Sequence, residues 1–261
     1  MRRRTATVVT GASSGIGKEF ARRLAERGHD VVLVARRLHR LDHLAAELVS
    51  RYGVAAIPVQ LDLATPRPGR ELRARLERHG ITVGGLVNCA GFGKQAVFAE
   101  ADADDMEKLI AVDVTAVVDL TKEFYDDLLA ADSGILINVA SLTGHLPFPG
   151  MAVYSSAKAY VINFTEALWV EARGSRLRVL CVSPGPTESE FFAIAGSPSE
   201  GVSLQNPAQV VETALRAIAK GRPSVVAGRT NALLAHLARK LPRKVVLKMV
   251  ARQVPPARRH V

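Results

Sequence analysis

Tyr154 and Lys158 are the residues of this chain best suited to moving a proton. Of the four tyrosines, only Tyr154 has a lysine four residues on; on a helix that spacing puts both side chains on one face, one turn apart. An ammonium there favours the phenolate and brings a poor acid–base group toward working pH. Ser141 precedes Tyr154 by thirteen residues, at the end of the strand-like run Gly134–Val139. Ligands bind at such carboxyl ends in parallel sheets, so the serine hydroxyl is placed to hold a carbonyl oxygen beside the phenol. Singly these are a packed tyrosine, a solvated lysine and a loop serine; together they describe carbonyl or alcohol chemistry.

A second constellation suits a dinucleotide. The run Thr10-Gly11-Ala12-Ser13-Ser14-Gly15-Ile16-Gly17 follows a strand pattern and opens a helical one. Gly11 allows a tight turn, and Gly15 and Gly17 remove Cβ atoms where a pyrophosphate and a neighbouring strand approach. The helix start then offers free N–H groups and a positive dipole end to phosphate. The second strand ends Val34-Ala35-Arg36-Arg37. Ala35 has no carboxylate for an adenosine 2′-hydroxyl, whereas Arg36 can pair with a 2′-phosphate, so NADPH is expected over NADH. Asp62, with Leu63, follows the third strand and is placed to meet the adenine. Asn88-Cys89-Ala90-Gly91 ends the fourth with small residues, as a strand crowded by a ligand requires.

These residues need a scaffold that brings strand ends together. Strands are expected at Thr7–Thr10, Val31–Ala35, Ala55–Gln60, Gly85–Asn88, Gly134–Val139, Arg178–Ser183 and Val225–Ala227, with helical periodicity between them, as at Lys18–Arg27, Arg40–Tyr52 and Pro68–Arg78. Strands alternating with helices predict an α/β fold, a doubly wound parallel sheet of seven strands covered on both faces. Residues 186–206 read as a long loop with short helical turns, of the kind that forms lids.

The marks Thr10–Gly17, Asn88–Gly91, Ser141, Tyr154-x-x-x-Lys158 and Pro184-Gly185 come in the order and spacing of the short-chain dehydrogenase/reductase family, which the chain resembles over about residues 5–228. The resemblance implies a Rossmann-type sheet, a nicotinamide cofactor and hydride transfer between it and a carbonyl or alcohol carbon. It implies that Tyr154 donates or accepts the proton, that Lys158 also bonds the nicotinamide ribose and that Ser141 orients the substrate. It places Pro184, Gly185 and Thr187 near the carboxamide and Ser189 near the pyrophosphate, and it implies a dimer or tetramer. The chain departs from the family at Cys89, which is small, and at Asp113, where the family has asparagine. Asp113 keeps the backbone carbonyl, which the resemblance implies holds a relay water, and adds a negative charge near Lys158. A catalytically silent nucleotide-binding scaffold therefore stands as the alternative to an enzyme.

Composition narrows the rest. The 261 residues are 48% hydrophobic and 23% charged, an ordinary globular balance. Two cysteines, Cys89 and Cys181, exclude a disulfide scaffold or a multi-cysteine zinc site, and both read as buried thiols. His39 and His43 lack a third ligand and read as a solvated helix face, so no metal is expected. The net charge is +10, but no acidic residue follows Glu212, beyond which lie twelve Lys and Arg. That asymmetry removes the main argument for nucleic-acid binding. It also divides the chain into a catalytic domain, 1–228, and a basic amphipathic extension, 229–261, which Pro242 should split into two helices. The apolar stripe of that extension is expected to pack on protein or to contact an anionic membrane surface peripherally. With no signal-peptide pattern at the start, the expected location is the cytoplasm. The substrate pocket is expected to be bordered by Leu146, Pro147, Phe148, Met151, Phe191 and Phe192, hence a small, apolar carbonyl or alcohol compound.

Overall fold

The sheet is built from β-branched runs whose alternate residues face opposite layers. In β1 (Arg4–Thr10), Val8 joins one buried cluster and Val9 the other; in β2 (Val31–Ala35), Val32 and Val34 face one layer and Leu33 the other. These strands come from a computed structural model that describes residues 4–196 and 203–251. The remaining strands are β3 (Ala56–Gln60), β4 (Ile81–Asn88), β5 (Ile135–Val139), β6 (Arg178–Ser183) and β7 (Ser224–Val226). All pair in parallel, in the order β3-β2-β1-β4-β5-β6-β7. The order reverses between β1 and β4, and that switch point opens a crevice beyond the strands' carboxyl ends.

Helices α1 (Gly15–Glu26), α2 (Leu38–Tyr52) and α8 (Pro207–Ala219) bury Phe20, Leu24, Leu41, Leu48 and Val211 on one face. Helices α3 (Pro68–Arg78), α5 (Ala116–Ala130) and α6 (Ala152–Glu171) cover the other with residues such as Leu72, Leu76, Leu120, Phe124 and Ala172 just beyond α6. Helix α4 (Ala103–Ile110) runs into α5 through a single π-helical turn, Ala111–Thr115. Further on come the short α7 (Phe191–Ala195), then α9 (Arg229–Lys240) and α10 (Arg243–Ala251), separated at Pro242 as the sequence requires.

The seven-stranded parallel expectation holds, with one instructive shift. The fourth strand begins at Ile81, ahead of the expected Gly85, because Gly84 and Gly85 lie inside it. A Cβ on Gly84 would sit 2.4 Å from the Thr5 methyl, and one on Gly85 2.6 Å from the Thr7 hydroxyl, so these glycines seat the β1 threonines where the β1–β4 register shifts. Of the loop expected at 186–206, residues 197–202 lie outside the described residues, as do 252–261 of the extension. The described part holds α7 and a parallel bridge between Thr187 and Gln205. Among the described residues no helix is long and apolar enough to cross a membrane.

Candidate active site

A cavity of about 1110 Å³ runs along the crevice from Arg36 and Asp62 at one end, past the glycine turn, to Tyr154 and the extension at the other. Gly11 adopts φ +69°, and a Cβ there would lie 3.0 Å from the Ala90 backbone; one on Gly17 would lie 2.4 Å from the Gly11 carbonyl. The turn is thus drawn against both the end of β4 and its own helix. Thr10 fastens the same point: its Oγ1 accepts the N–H groups of Cys89 and Ala90, each at 3.0 Å.

Ser14 is the N-cap of α1, yet its side chain makes no capping bond. The Arg37 guanidinium donates to Ser13 Oγ at 2.9 Å and to Ser14 Oγ at 3.2 Å instead. The first-turn N–H groups of α1 are therefore left uncapped by a side chain at the cavity wall, the arrangement that receives a phosphate. Arg37 also pairs with Glu190 at 2.7 Å, and Arg40 pairs with the same carboxylate at 2.6 Å. These two arginines hold the Glu190 carboxyl down at about 2. Arg36, expected to face a 2′-phosphate, is exposed on the cavity rim beside them. Asp62 and Leu63 line the same end, Asp62 Oδ1 accepting the Ala64 N–H at 3.0 Å. A long cavity with a glycine cradle, uncapped helix N–H groups and two arginines at one end fits a phosphorylated dinucleotide.

At the other end α6 presents its first turns. Tyr154 lines the cavity, with its ring 5.2 Å from that of Phe191, centre to centre. The Lys158 Nζ donates to the Val139 carbonyl at 3.2 Å and lies 2.6 Å from Asp113 Oδ1. Both ions are buried. Burial opposes the lysine charge, but Asp113, with help from Tyr154, outweighs it and holds Lys158 above the ordinary lysine range. Ser141 Oγ accepts bonds from the Thr143 N–H at 3.2 Å and hydroxyl at 3.0 Å, which leaves its own proton free to donate. Cys89 faces the cavity only partly buried, while Cys181 is fully enclosed; burial pushes both thiols up to about 12.

Most of the residues picked out by sequence line this one cavity: Gly11, Ser13, Ser14, Gly15, Ile16, Gly17, Ala90, Gly91, Ser141, Tyr154, Lys158, Pro184, Gly185, Thr187 and Ser189. Two do not. The Asn88 side chain is turned into the sheet, where Nδ2 donates to Asn138 Oδ1 at 2.9 Å and to Thr121 Oγ1 at 3.1 Å, and so links β4, β5 and α5. Asp113 stands behind Lys158, outside the cavity. Of the expected pocket residues, all but Pro147 line the cavity. Sequence reasoning did not reveal Glu190 or the use of the extension. Leu234, Leu237, Leu241, Val246 and Met249 of α9 and α10 complete the apolar end, with Val246 itself buried. Helix α9 is anchored by Asn231, whose Nδ2 donates to the Ala227 carbonyl at 2.9 Å and occupies the space a Cβ on Gly185 would need.

The family profile described as short chain dehydrogenase matches residues 5–198, and the chain belongs to that family. A short-chain dehydrogenase from Sphingobium yanoikuyae, solved in complex with NADPH, superposes with a TM-score of 0.81 at 31% identity, covering 98% of each chain. An NADP-dependent 3-hydroxy acid dehydrogenase of Schizosaccharomyces pombe is 31% identical over 72% of this chain and 73% of its own. A very-long-chain 3-oxoacyl-CoA reductase of Phaeosphaeria nodorum is 31% identical over 82% of this chain and 63% of its own. The chain spans between 52% and 66% of the length of the curated relatives with that name.

Proposed function

We propose that this protein is an NADP(H)-dependent oxidoreductase that interconverts a carbonyl group and an alcohol on a small, apolar substrate. The observation that carries this reading is the convergence of Ser141, Tyr154 and Lys158 on one cavity with the glycine turn and the Arg36–Arg37 corner. The NADPH complex of the Sphingobium relative and the NADP-dependent relative from S. pombe support the cofactor. Gly11, Ser13, Ser14, Gly15, Ile16 and Gly17 would hold the pyrophosphate, Arg36 and Arg37 the 2′-phosphate, Asp62 and Leu63 the adenine, and Gly91, Lys158, Pro184, Gly185 and Thr187 the nicotinamide half. The bound dinucleotide supplies the hydride.

The chain's own residues supply the rest. Ser141, its proton uncommitted, donates to the substrate oxygen and fixes it beside Tyr154. Tyr154 then gives its proton to that oxygen as the carbonyl is reduced, or takes one as the alcohol is oxidised. The apolar walls from Phe148, Phe191 and helices α9 and α10 exclude water and select an apolar substrate, so the sheet domain reacts and the described part of the extension, 229–251, covers. The silent-scaffold reading is weakened because Asp113 pairs with Lys158 without drawing it out of the cavity.

Two finer points belong to the same reading. Exposed Tyr160 and Val170 on the outer face of α6 favour a second copy of the chain as a partner, hence a homo-oligomer. Exposed Leu233, Val245, Leu247 and Met249 among the lysines and arginines of α9–α10 favour peripheral contact of a cytoplasmic protein with an anionic membrane; sedimentation with anionic vesicles at low salt tests it, and its absence leaves the extension a wall only.

The test of the function is NADPH oxidation with a panel of aldehydes and ketones, wild type against Tyr154→Phe. The expected outcome is turnover by the wild type and a loss of about a hundred- to ten-thousand-fold in the variant. Near wild-type rates in Tyr154→Phe overturn the reading.

A further inference from the structure

The π-helical turn Ala111–Thr115 delivers a fully buried carboxylate to the back of the active-site lysine. The two oxygens of Asp113 face two donors: Oδ1 lies 2.6 Å from the Lys158 ammonium, and Oδ2 accepts the Phe92 N–H at 3.2 Å. An asparagine here would turn its NH₂ toward one of those donors, so the site is built for two acceptors and hence for a carboxylate. The backbone yields to it as well: a Cβ on Gly91 would lie 2.3 Å from Asp113 Oδ1 and 3.0 Å from Lys158 Nζ.

We propose that Asp113 is a positioning residue that neutralises Lys158 from behind and so keeps Tyr154 in its proton-donating form through the neutral range, making this a carbonyl-reducing site that oxidises alcohols only in alkaline solution. The proposal rests on the reading of Tyr154 as the acid–base group.

In reduction the carbonyl carbon gains a hydride from the reduced dinucleotide and its oxygen gains the Tyr154 proton; the tyrosinate left behind is reprotonated from solvent. In oxidation the tyrosinate takes the hydroxyl proton while the hydride passes to the oxidised dinucleotide, so this direction needs Tyr154 already ionised. An unopposed lysine beside the phenol would ionise it early. Burial pushes the Asp113 carboxyl up, while Lys158 and the Phe92 N–H draw it back down; held between those two donors as a carboxylate it cancels the ammonium, and little is left to offset burial of the phenol. Burial is the largest influence on Tyr154 and pushes its phenol up; Lys158 draws it down, Asp113 pushes it up again and the Ser141 hydroxyl lowers it. The other titratable groups packed around α6 contribute little charge. Cys89 beyond β4 is held neutral by burial, His145 after β5 is driven toward its neutral form by burial and Arg239, and Lys108 of α4 is exposed at the cavity edge. Helix α7, which brings Phe191 to the Tyr154 ring, carries no charge.

The experiment is an ultraviolet titration of tyrosinate in the folded full chain, with the Tyr154→Phe signal subtracted, for the wild type, Asp113→Asn and Asp113→Ala. In both variants the Tyr154 transition should move down by about one to three pH units, the usual effect of a charge within a few ångströms. The alkaline rise of cyclohexanol oxidation with NADP⁺ should move down in parallel, while cyclohexanone reduction loses its advantage at neutral pH. Asparagine keeps the size of the side chain and alanine removes it, so the same shift in both assigns the effect to charge. An unmoved transition in both, or a shift in only one, overturns the proposal. Failure of Tyr154→Phe to lose activity would overturn the functional reading instead, and the titration would still report on Asp113.

Discussion

Two clusters of acidic and basic side chains sit at opposite ends of the same cavity, and water separates their roles. At the Tyr154 end, Lys158 and Asp113 are 5% and 0% exposed. At the Arg36–Asp62 end, Arg37, Arg40 and Glu190 are 37–39% exposed. The contacts are equally short, 2.6–2.7 Å. Buried, an ion has no alternative partner, so each member is obligatory to the other and fixes the charge a third group feels. Half exposed, an ion exchanges its partner for water or for another anion at little cost. The first pair is therefore suited to set a protonation state, and the second to be rearranged when a phosphate arrives.

The largest test of this contrast is stability. Lys158→Ala leaves Asp113 enclosed without its counter-ion and should cost about 3–5 kcal/mol. Arg40→Ala should cost under about 1 kcal/mol. Urea unfolding of both variants measures the difference, and equal losses would erase the distinction. Next in size, Arg37→Ala should weaken NADPH binding by about tenfold to a hundredfold, the worth of about 1.5–3 kcal/mol for a charge-assisted bond, and leave NADH binding nearly unchanged. Fluorescence titration with the two dinucleotides reads this directly; a parallel loss for both would mean that Arg37 serves only the serines.

The smallest effect is that of Glu190. Its carboxyl is lowered from 4.5 to about 2, chiefly by hydrogen bonds from Arg37 and Arg40. Because the folded-state value lies below the unfolded one, its stabilisation is present above the ordinary carboxylate range and fades as pH falls toward 2. The Tm difference between wild type and Glu190→Gln should accordingly be small at neutral pH and shrink on acidification. A difference that grows in acid would place the stabilisation elsewhere.

The sequence discloses what is local and hides what is paired across distance. Val31–Ala35 and Arg178–Ser183 are strands to the residue because β-branched runs announce themselves. The start of β4 is hidden, since what makes Gly84 and Gly85 acceptable inside a strand is the bulk of Thr5 and Thr7 on another. Tyr154 and Lys158 are legible from one helical spacing, and Ser141 from its place at a strand end. Asp113 is legible only as a departure from a family pattern, and its aim at Lys158 depends on a turn that no periodicity signals. Arg37 is visible as an arginine just after the second strand, but its partner Glu190 lies about 150 residues further along the chain. The amphipathic pattern of α9 and α10 is plain, whereas the cavity it covers exists only after the sheet has assembled.

The π-helical turn between α4 and α5 carries one more consequence. A π turn holds one residue more than the α-helical path around it, and each residue of an α-helix advances the chain by about 100° of rotation. Excising a single residue from Ala111–Thr115 would let the two helices merge into one regular rod. Because the turn absorbs that extra residue, the flanking helices would keep their faces and Leu109 its place in the core, and only the residues within the turn would be re-aimed, so Asp113 would lose the bulged backbone that presents it to Lys158. The aim of one buried carboxylate is in this sense stored as a count of residues along a helix, and a deletion that spares Asp113 itself would still change it.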